Sequence, residues 1–413
     1  MKVFIDLEPT KRRNLLTLFI TGLLFWFSIT SLLPVLPLYI RDIGGTKQQI
    51  GLVMGCFAIG LLLSRTWLGQ LADSQGRKIS ILIGTAVVGI APLGYLVANS
   101  VSLLMILRAF HGISISGFTT GYSALVVDIS PPKQRGELIG YMSLAIPIGM
   151  ALGPALGGYL QANFGYTPLF LIAAIAGLIA FVCASQVKEE LNLKSQNRDP
   201  QLELEPSRSF GELIKHSSFV IPGIIMLLIG LVFGTLATFL PLYIQETKLD
   251  FNAGLFYAVA AIASFIARVV VGKASDTWGR GLFITFSLIC YTISMLLLAD
   301  ATLPSILILA AFVEGTGAGI LIPMLIALMS DRSYLTERGK VYAICIGGFD
   351  LGVAIAGPIL GTLALVVSYS TMFYWSGGLA AIALLIFLTK SSKSVRHSLR
   401  FALGKEGDVY AIE

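Results

Sequence analysis

Gly69-Gln70-Leu71-Ala72-Asp73-Ser74-Gln75-Gly76-Arg77-Lys78 joins two long apolar runs, and a looser copy stands 203 residues later between Gly272 and Arg280. Gly69, Asp73, Gly76 and Arg77 meet Gly272, Asp276, Gly279 and Arg280. The register holds far beyond the loop. Leu36-Pro37-Leu38-Tyr39-Ile40 returns as Leu240-Pro241-Leu242-Tyr243-Ile244 at an offset of 204, and Asp128 and Arg135-Gly136 return as Asp331 and Arg338-Gly339 at 203. Gly153-Pro154 and Gly157 meet Gly357-Pro358 and Gly361 at 204. Register kept within one residue over such a length marks an internal duplication.

Composition says where the duplicated halves reside. Of 413 residues, 55% are hydrophobic and only 13% charged, about half the ~25% usual in soluble domains. Mean hydropathy is +0.83. A soluble enzyme could not cover its surface with so few charges, and a disordered or disulfide-knotted chain has a different composition. Twelve apolar runs follow one another, the first at 14–40 and the last at 371–389, each near the ~20 residues that a bilayer-spanning helix needs. Barrel strands would be ~10 residues of alternating polarity. The expectation is an all-α polytopic membrane protein with twelve transmembrane helices in two six-helix bundles, related by a pseudo-twofold axis along the membrane normal. The bundles are expected at 1–185 and 218–389, with a cytoplasmic linker at 186–217 carrying a short surface helix near Phe210–His216, and a cytoplasmic tail at 390–413.

Lys and Arg set the orientation. With the N-terminus inside, the outer loops hold only Arg41, Lys47 and Lys248, and Arg65, Arg108 and Arg268 lie within spans. The other 23 of the 29 fall on the inner side, so both termini are expected in the cytoplasm and the chain in the plasma (inner) membrane. The net charge of +6 then reflects topology and attraction to anionic lipid heads rather than nucleic acid. Cys56, Cys183, Cys290 and Cys345 stand singly in apolar runs with no CxxC pair. Neither a metal nor a disulfide is expected.

The loop at Gly69 to Lys78 closely resembles the hallmark loop of the major facilitator superfamily, and the resemblance covers essentially the whole chain. Three further segments are similar to those of its twelve-span drug/proton antiporters. They are Pro34-Val35-Leu36-Pro37-Leu38-Tyr39, Arg108 followed by Gly112, and Gly149-Met150-Ala151-Leu152-Gly153-Pro154-Ala155-Leu156-Gly157-Gly158. His111 stands where the family pattern usually has Gln, and residues 14–40 carry no charge where relatives often place an acid. The resemblance implies a conformational latch at the loop, formed by Gly69, Asp73, Gly76 and Arg77 with Gly272, Asp276, Gly279 and Arg280, and reaching toward Gly339. Gly69 and Gly76 would serve close approach and a tight turn. Gly149, Gly153 and Gly157, four apart beside Pro154, line one helical stripe. Two readings fit it, a hinge surface between bundles and plain helix packing.

Charges within the bilayer are costly and mark function. The informative ones break the duplication: Arg108 aligns with Ala311, His111 with Glu314, and Asp350 with Pro147 or Ile146. Asp350 lies eleven residues beyond Gly339, ~16 Å at 1.5 Å per residue and so near mid-bilayer. Asp350 and Glu314 are the candidate proton carriers. Arg108 and His111, on one face at i and i+3, are the candidate counter-charge or anion site, and a structural salt bridge is the alternative use of these groups. Phe25, Trp26, Phe27, Phe118 and Tyr122 are candidate cavity walls or core residues.

The leading functional expectation is a proton-coupled exporter of small organic molecules working by alternating access, without a cofactor and as a monomer by resemblance. Its partners are a small-molecule substrate, protons and the lipid bilayer, with no nucleic acid. The alternative is a proton-coupled importer of sugars or other metabolites, and a transporter-like sensor is a third class. No enzyme is expected: only His111, His216 and His397 occur, with no HExxH and no phosphate-binding GxxxxGK[ST] loop.

Overall fold

The computed structural model describes residues 7–131, 134–189, 208–334 and 336–412, with the side chains of Lys273 and Asp276 outside the described residues. Among them are twelve helices long and apolar enough to cross a membrane and no strand. Spans one to six are Pro9–Asp42, Lys47–Gln75, Arg77–Val97, Val101–Ile129, Arg135–Phe164 and Tyr166–Gln186. Spans seven to twelve are Ser217–Glu246, Ala253–Gly272 (helical on to Trp278), Arg280–Ala299, Pro304–Asp331, Arg338–Leu363 and Tyr369–Lys390. A short helix lies at Phe210–Leu213 and a tail helix at Val395–Ala402. Helices dominate because hydrocarbon offers the backbone no partner, so each segment must bond to itself.

Proline sets the interruptions. Span one breaks between Ser31 and Leu36, where Pro34 cannot donate to the Thr30 carbonyl. Span five breaks at Leu144, where Pro147 cannot donate to Ser143. Pro154 lies inside the helix that follows without ending it. Glycine sets the reversals. Gly76 (φ 104°) and Gly279 (φ 82°) turn the chain between spans two and three and between eight and nine, in a region closed to most side chains. Both positions belong to the duplicated loop. Gly69 and Gly272 differ: a Cβ at either would meet nothing within 4 Å, so the close approach expected at Gly69 is not found.

The chain divides into two compact units, the first comprising Met1–Leu191 with Leu240–Glu246 and Phe251–Ala258, the second Asn192–Phe239, Thr247–Asp250 and Val259–Glu413. In the first unit, spans two and four touch backbone to backbone, since a Cβ on Gly112 would sit 1.9 Å from the Phe57 carbonyl oxygen. The duplicated contact recurs in the second unit, where a Cβ on Gly315 would sit 2.0 Å from the Ala260 oxygen. Phe25 stacks on Phe118 at 3.9 Å, and Phe118 on Tyr122 at 4.8 Å, within a buried core that includes Leu18, Ile29, Ile81 and Met142. These three rings are core, not cavity wall. Exposed Leu63, Val97, Ile106 and Val366 would aggregate a soluble protein and instead suit lipid.

The stripe of span five faces span one of its own unit. A Cβ on Gly149 would lie 2.6 Å from Trp26 Cβ, on Gly153 2.3 Å from Thr30 Oγ1 and 2.7 Å from the Phe27 oxygen, and on Gly157 2.0 Å from the Ser31 oxygen. Of the two readings left open, helix packing accounts for all three contacts. Gly153→Leu is therefore expected to lower the thermal unfolding midpoint in detergent, by more than the roughly 1–3 kcal/mol typical of added core volume, because part of the clash is with backbone. Gly69→Ala should leave the midpoint unchanged.

Candidate functional site: buried charges and paired span ends

Within the first unit, Arg108 and His111 share one face of span four, and both are buried. Close packing at Gly112 brings Phe57 of span two beneath Arg108, whose guanidinium lies 4.4 Å from the ring centroid. A buried guanidinium over an aromatic face gains about 2 kcal/mol from the ring quadrupole. His111 Nδ1 is 2.9 Å from the Tyr95 hydroxyl of span three, and its ring meets Phe57 edge-on at 5.7 Å. Arg108 Nε and His111 Nε2 are buried with no hydrogen-bond partner, and among the described residues Arg108 has no ion pair. Tyr95 and Phe57 were not identified from the sequence, because nothing in an apolar run marks which ring will meet the charge.

Within the second unit, Glu314 of span ten is only 5% exposed and has no ion pair among the described residues. Packing of Gly315 on Ala260 and of Gly319 on Ser264 fixes the face of span ten beside it. Asp350 of span eleven is also buried. Gly348 and Gly352, flanking it by two residues, press on Gly223 and Leu227 of span seven. At about 100° per residue Asp350 therefore stands on the far side of its helix from that contact.

The duplicated loop is a cluster of paired charges. In the first unit Asp73 accepts from Arg77, whose Nε is also 3.9 Å from Asp128. In the second unit Arg280 Nε is 3.3 Å from Asp331, and its Nη1 donates to Ser275 Oγ at 3.0 Å. The Asp276 side chain, named with the latch, lies outside the described residues. Asp128 and Asp331 were matched in the duplication, yet only the folded chain shows what they pair with.

Three further anchors escaped sequence reading because their partners are distant in the chain. Glu189 accepts from the backbone N–H groups of Arg77 at 2.7 Å and Lys78 at 3.0 Å, which places a carboxylate at the positive end of span three. Glu337 accepts from Arg208 Nε at 3.0 Å and from the Tyr334 N–H at 3.2 Å, pinning the chain that enters the second unit. Arg332, almost wholly buried, grips Asp408 of the tail with Nε at 2.6 Å and Nη2 at 3.0 Å. Its remaining donors reach the carbonyls of Ser218 at 2.9 Å and Ser391 at 3.0 Å. One guanidinium thus ties together the ends of spans seven, ten and twelve.

Twelve spans in two duplicated halves, with paired charges at a matching loop in each, define a secondary transporter scaffold. The Major Facilitator Superfamily model matches residues 18–300 and 253–406, and the chain belongs to that family. It is 26% identical over 373 residues to the quinolone resistance protein NorA of Staphylococcus aureus (strain MSSA476), covering 84% of this chain and 92% of the relative. It is 26% identical over 384 residues to multidrug resistance protein 1 of Bacillus subtilis (strain 168), covering 88% and 97%. The nucleoside transporter NupG shares the fold, with a TM-score of 0.76 at 14% identity over 91% of this chain and 99% of that one.

Two outcomes are expected at the anchors. Asp408→Ala strands a buried guanidinium and should cost about 3–5 kcal/mol, read as a lowered thermal midpoint, whereas Arg332→Met combined with Asp408→Leu should recover most of it. Burial alone would raise the Glu337 carboxyl, but hydrogen bonds from Arg208 and the backbone outweigh it and hold it below the usual carboxylate range. Its folded pKa being lower than its unfolded one, its stabilisation is complete above the ordinary value of ~4.3 and disappears as pH falls through the lowered value. Glu337→Gln should remove that acid limb from a melting-versus-pH profile.

Proposed function

We propose that this chain is a proton-coupled exporter of small organic molecules that works by alternating access in the plasma membrane, with both termini cytoplasmic. The observation that carries the reading is Glu314, a carboxyl 5% exposed in a membrane span with no ion pair among the described residues. Such a group is tolerated in hydrocarbon when it holds a proton, and loses it when a wet or positively charged environment replaces the dry one. Asp350 is the second carrier on the same unit. Arg108 and His111, buried on one face of span four in the first unit, serve as the counter-charge that drives deprotonation or as the site for an anionic substrate. The drug-resistance names of the two relatives favour export over import.

In this scheme the two halves rock about a central pathway. Protons moving inward exchange for substrate moving outward. One charge crossing 100 mV supplies ~2.3 kcal/mol, enough for a roughly fiftyfold gradient per proton. The loop charges Asp73, Arg77, Asp276 and Arg280 act as the cytoplasmic latch, made and broken as the halves move. The pairs Arg77–Asp73 and Arg280–Asp331 are partly open to solvent, and such short-range pairs cost little to exchange for new partners. The protein works as a monomer.

Purified protein in acid-loaded proteoliposomes should show substrate-evoked proton efflux when offered a panel of dyes and antibiotics. Asp350→Asn and Glu314→Gln should each abolish that efflux and the accumulation it drives, while direct substrate binding persists. Unaltered coupling in both variants would remove the carboxylates from the mechanism, and proton co-uptake with substrate would reverse its direction.

A further inference from the structure

The tail helix Val395–Ala402 begins five residues after span twelve ends at Lys390, and it presents three faces. Ser398, Phe401 and Ala402 are buried against the second unit. There the Ala402 carbonyl accepts from Thr285 Oγ1 at 2.8 Å, and Phe401 packs on Phe387 of span twelve. Val395, Leu399 and Leu403 recur every four residues along a second face and are 53%, 40% and 48% exposed. Arg396 and Arg400 occupy a third face, opposite the buried one, with Lys393 just before the helix, and all three are exposed. Arg400 also faces Glu406 at 4.0 Å and Lys393 lies 6.0 Å from the Tyr410 ring, while Arg396 has no ion pair among the described residues.

An apolar stripe set between a protein-facing side and a basic side is the arrangement of a helix lying in the bilayer interface. Its position agrees. The residue after the helix's last turn, Gly404, abuts the end of span eight, where a Cβ would lie 3.0 Å from the Trp278 carbonyl oxygen. The Trp278 side chain is itself highly exposed, and indole favours the headgroup level. Chain connectivity therefore holds the stripe beside the hydrocarbon boundary on one side and a tryptophan at that boundary on the other. The Arg332–Asp408 clamp prevents the segment from drifting into water.

We propose that the tail helix is an interfacial anchor whose Val395, Leu399 and Leu403 enter the bilayer while Arg396, with Lys390 and Lys393, binds anionic lipid headgroups. The occupant of this surface is the membrane, so the tail acts as a skirt that seats the second unit at a defined depth.

The test uses the full chain with Cys56, Cys183, Cys290 and Cys345 replaced by Ser, carrying a nitroxide at Leu399→Cys or at Arg396→Cys, in vesicles of phosphatidylcholine with phosphatidylglycerol. Both positions are exposed, so neither label disturbs packing. At 399 the label should be open to oxygen and shielded from a water-soluble nickel chelate, and at 396 the order should reverse. Equal nickel access at both positions would overturn the proposal. So would a 399 label closed to both reagents with spin–spin broadening, since a second copy would then cover the stripe. Adding Arg396→Gln should lower the immersed-to-exposed ratio at 399 about fivefold, equivalent to ~1 kcal/mol per basic residue, in vesicles with phosphatidylglycerol and not in phosphatidylcholine alone. Equal immersion with and without the arginine would refute the headgroup contact. Neither arm depends on the direction of transport or on which carboxyl carries protons.

Discussion

Hydrocarbon offers neither water nor counter-ions, and a peptide group or charge placed there must find its partner within the protein. That constraint makes each span a helix and drives ionic groups to the span ends. Where they gather, they pair at once: Asp73 with Arg77, Arg280 with Asp331, Arg208 with Glu337, and Arg332 with Asp408. Arg108 and Glu314 are conspicuous against this background because neither has an ionic partner among the described residues. Arg108 leans on the face of Phe57, a softer compensation than a carboxylate would provide. Groups left in that condition are held by packing and remain responsive to a proton or a ligand.

Duplication separates scaffold from chemistry. Gly112 on Phe57 and Gly315 on Ala260 are one contact built twice, as are the reversals at Gly76 and Gly279 and the ion pairs that Arg77 and Arg280 make with Asp128 and Asp331. These repeated features set backbone spacing. The ionisable residues inside the spans were not kept in both copies: His111 answers to Glu314, and Arg108 to Ala311. Two similar frames therefore carry different charges.

Each unit is also closed by chain that lies beyond its spans. In the first, Asn14 exchanges hydrogen bonds with Lys188, and Glu189 occupies the end of span three. In the second, Arg208 and Lys340 hold the entering chain and Arg332 holds the tail. These anchors sit at helix ends, where unsatisfied backbone groups and positive charge already attract a carboxylate. They make the segments flanking residues 190–207 part of the two units.

The sequence alone determined the number of spans, the duplication and the loop motif, because run length and a fixed register are properties of the chain read in one dimension. It also singled out Arg108, His111, Glu314 and Asp350, since a charge in an apolar run needs no folded structure to be noticed. Only the tertiary structure decided what each one meets. Phe57 and Tyr95 beside the span-four charges, the span-one groove under Gly149, Gly153 and Gly157, the core position of Phe25 and Phe118, and the grip of Arg332 on Asp408 all join residues many positions apart. In a helix that is apolar on every side, no periodicity marks the inner face. The partner is settled by which backbones can approach closely, and that is a property of the packed helices together.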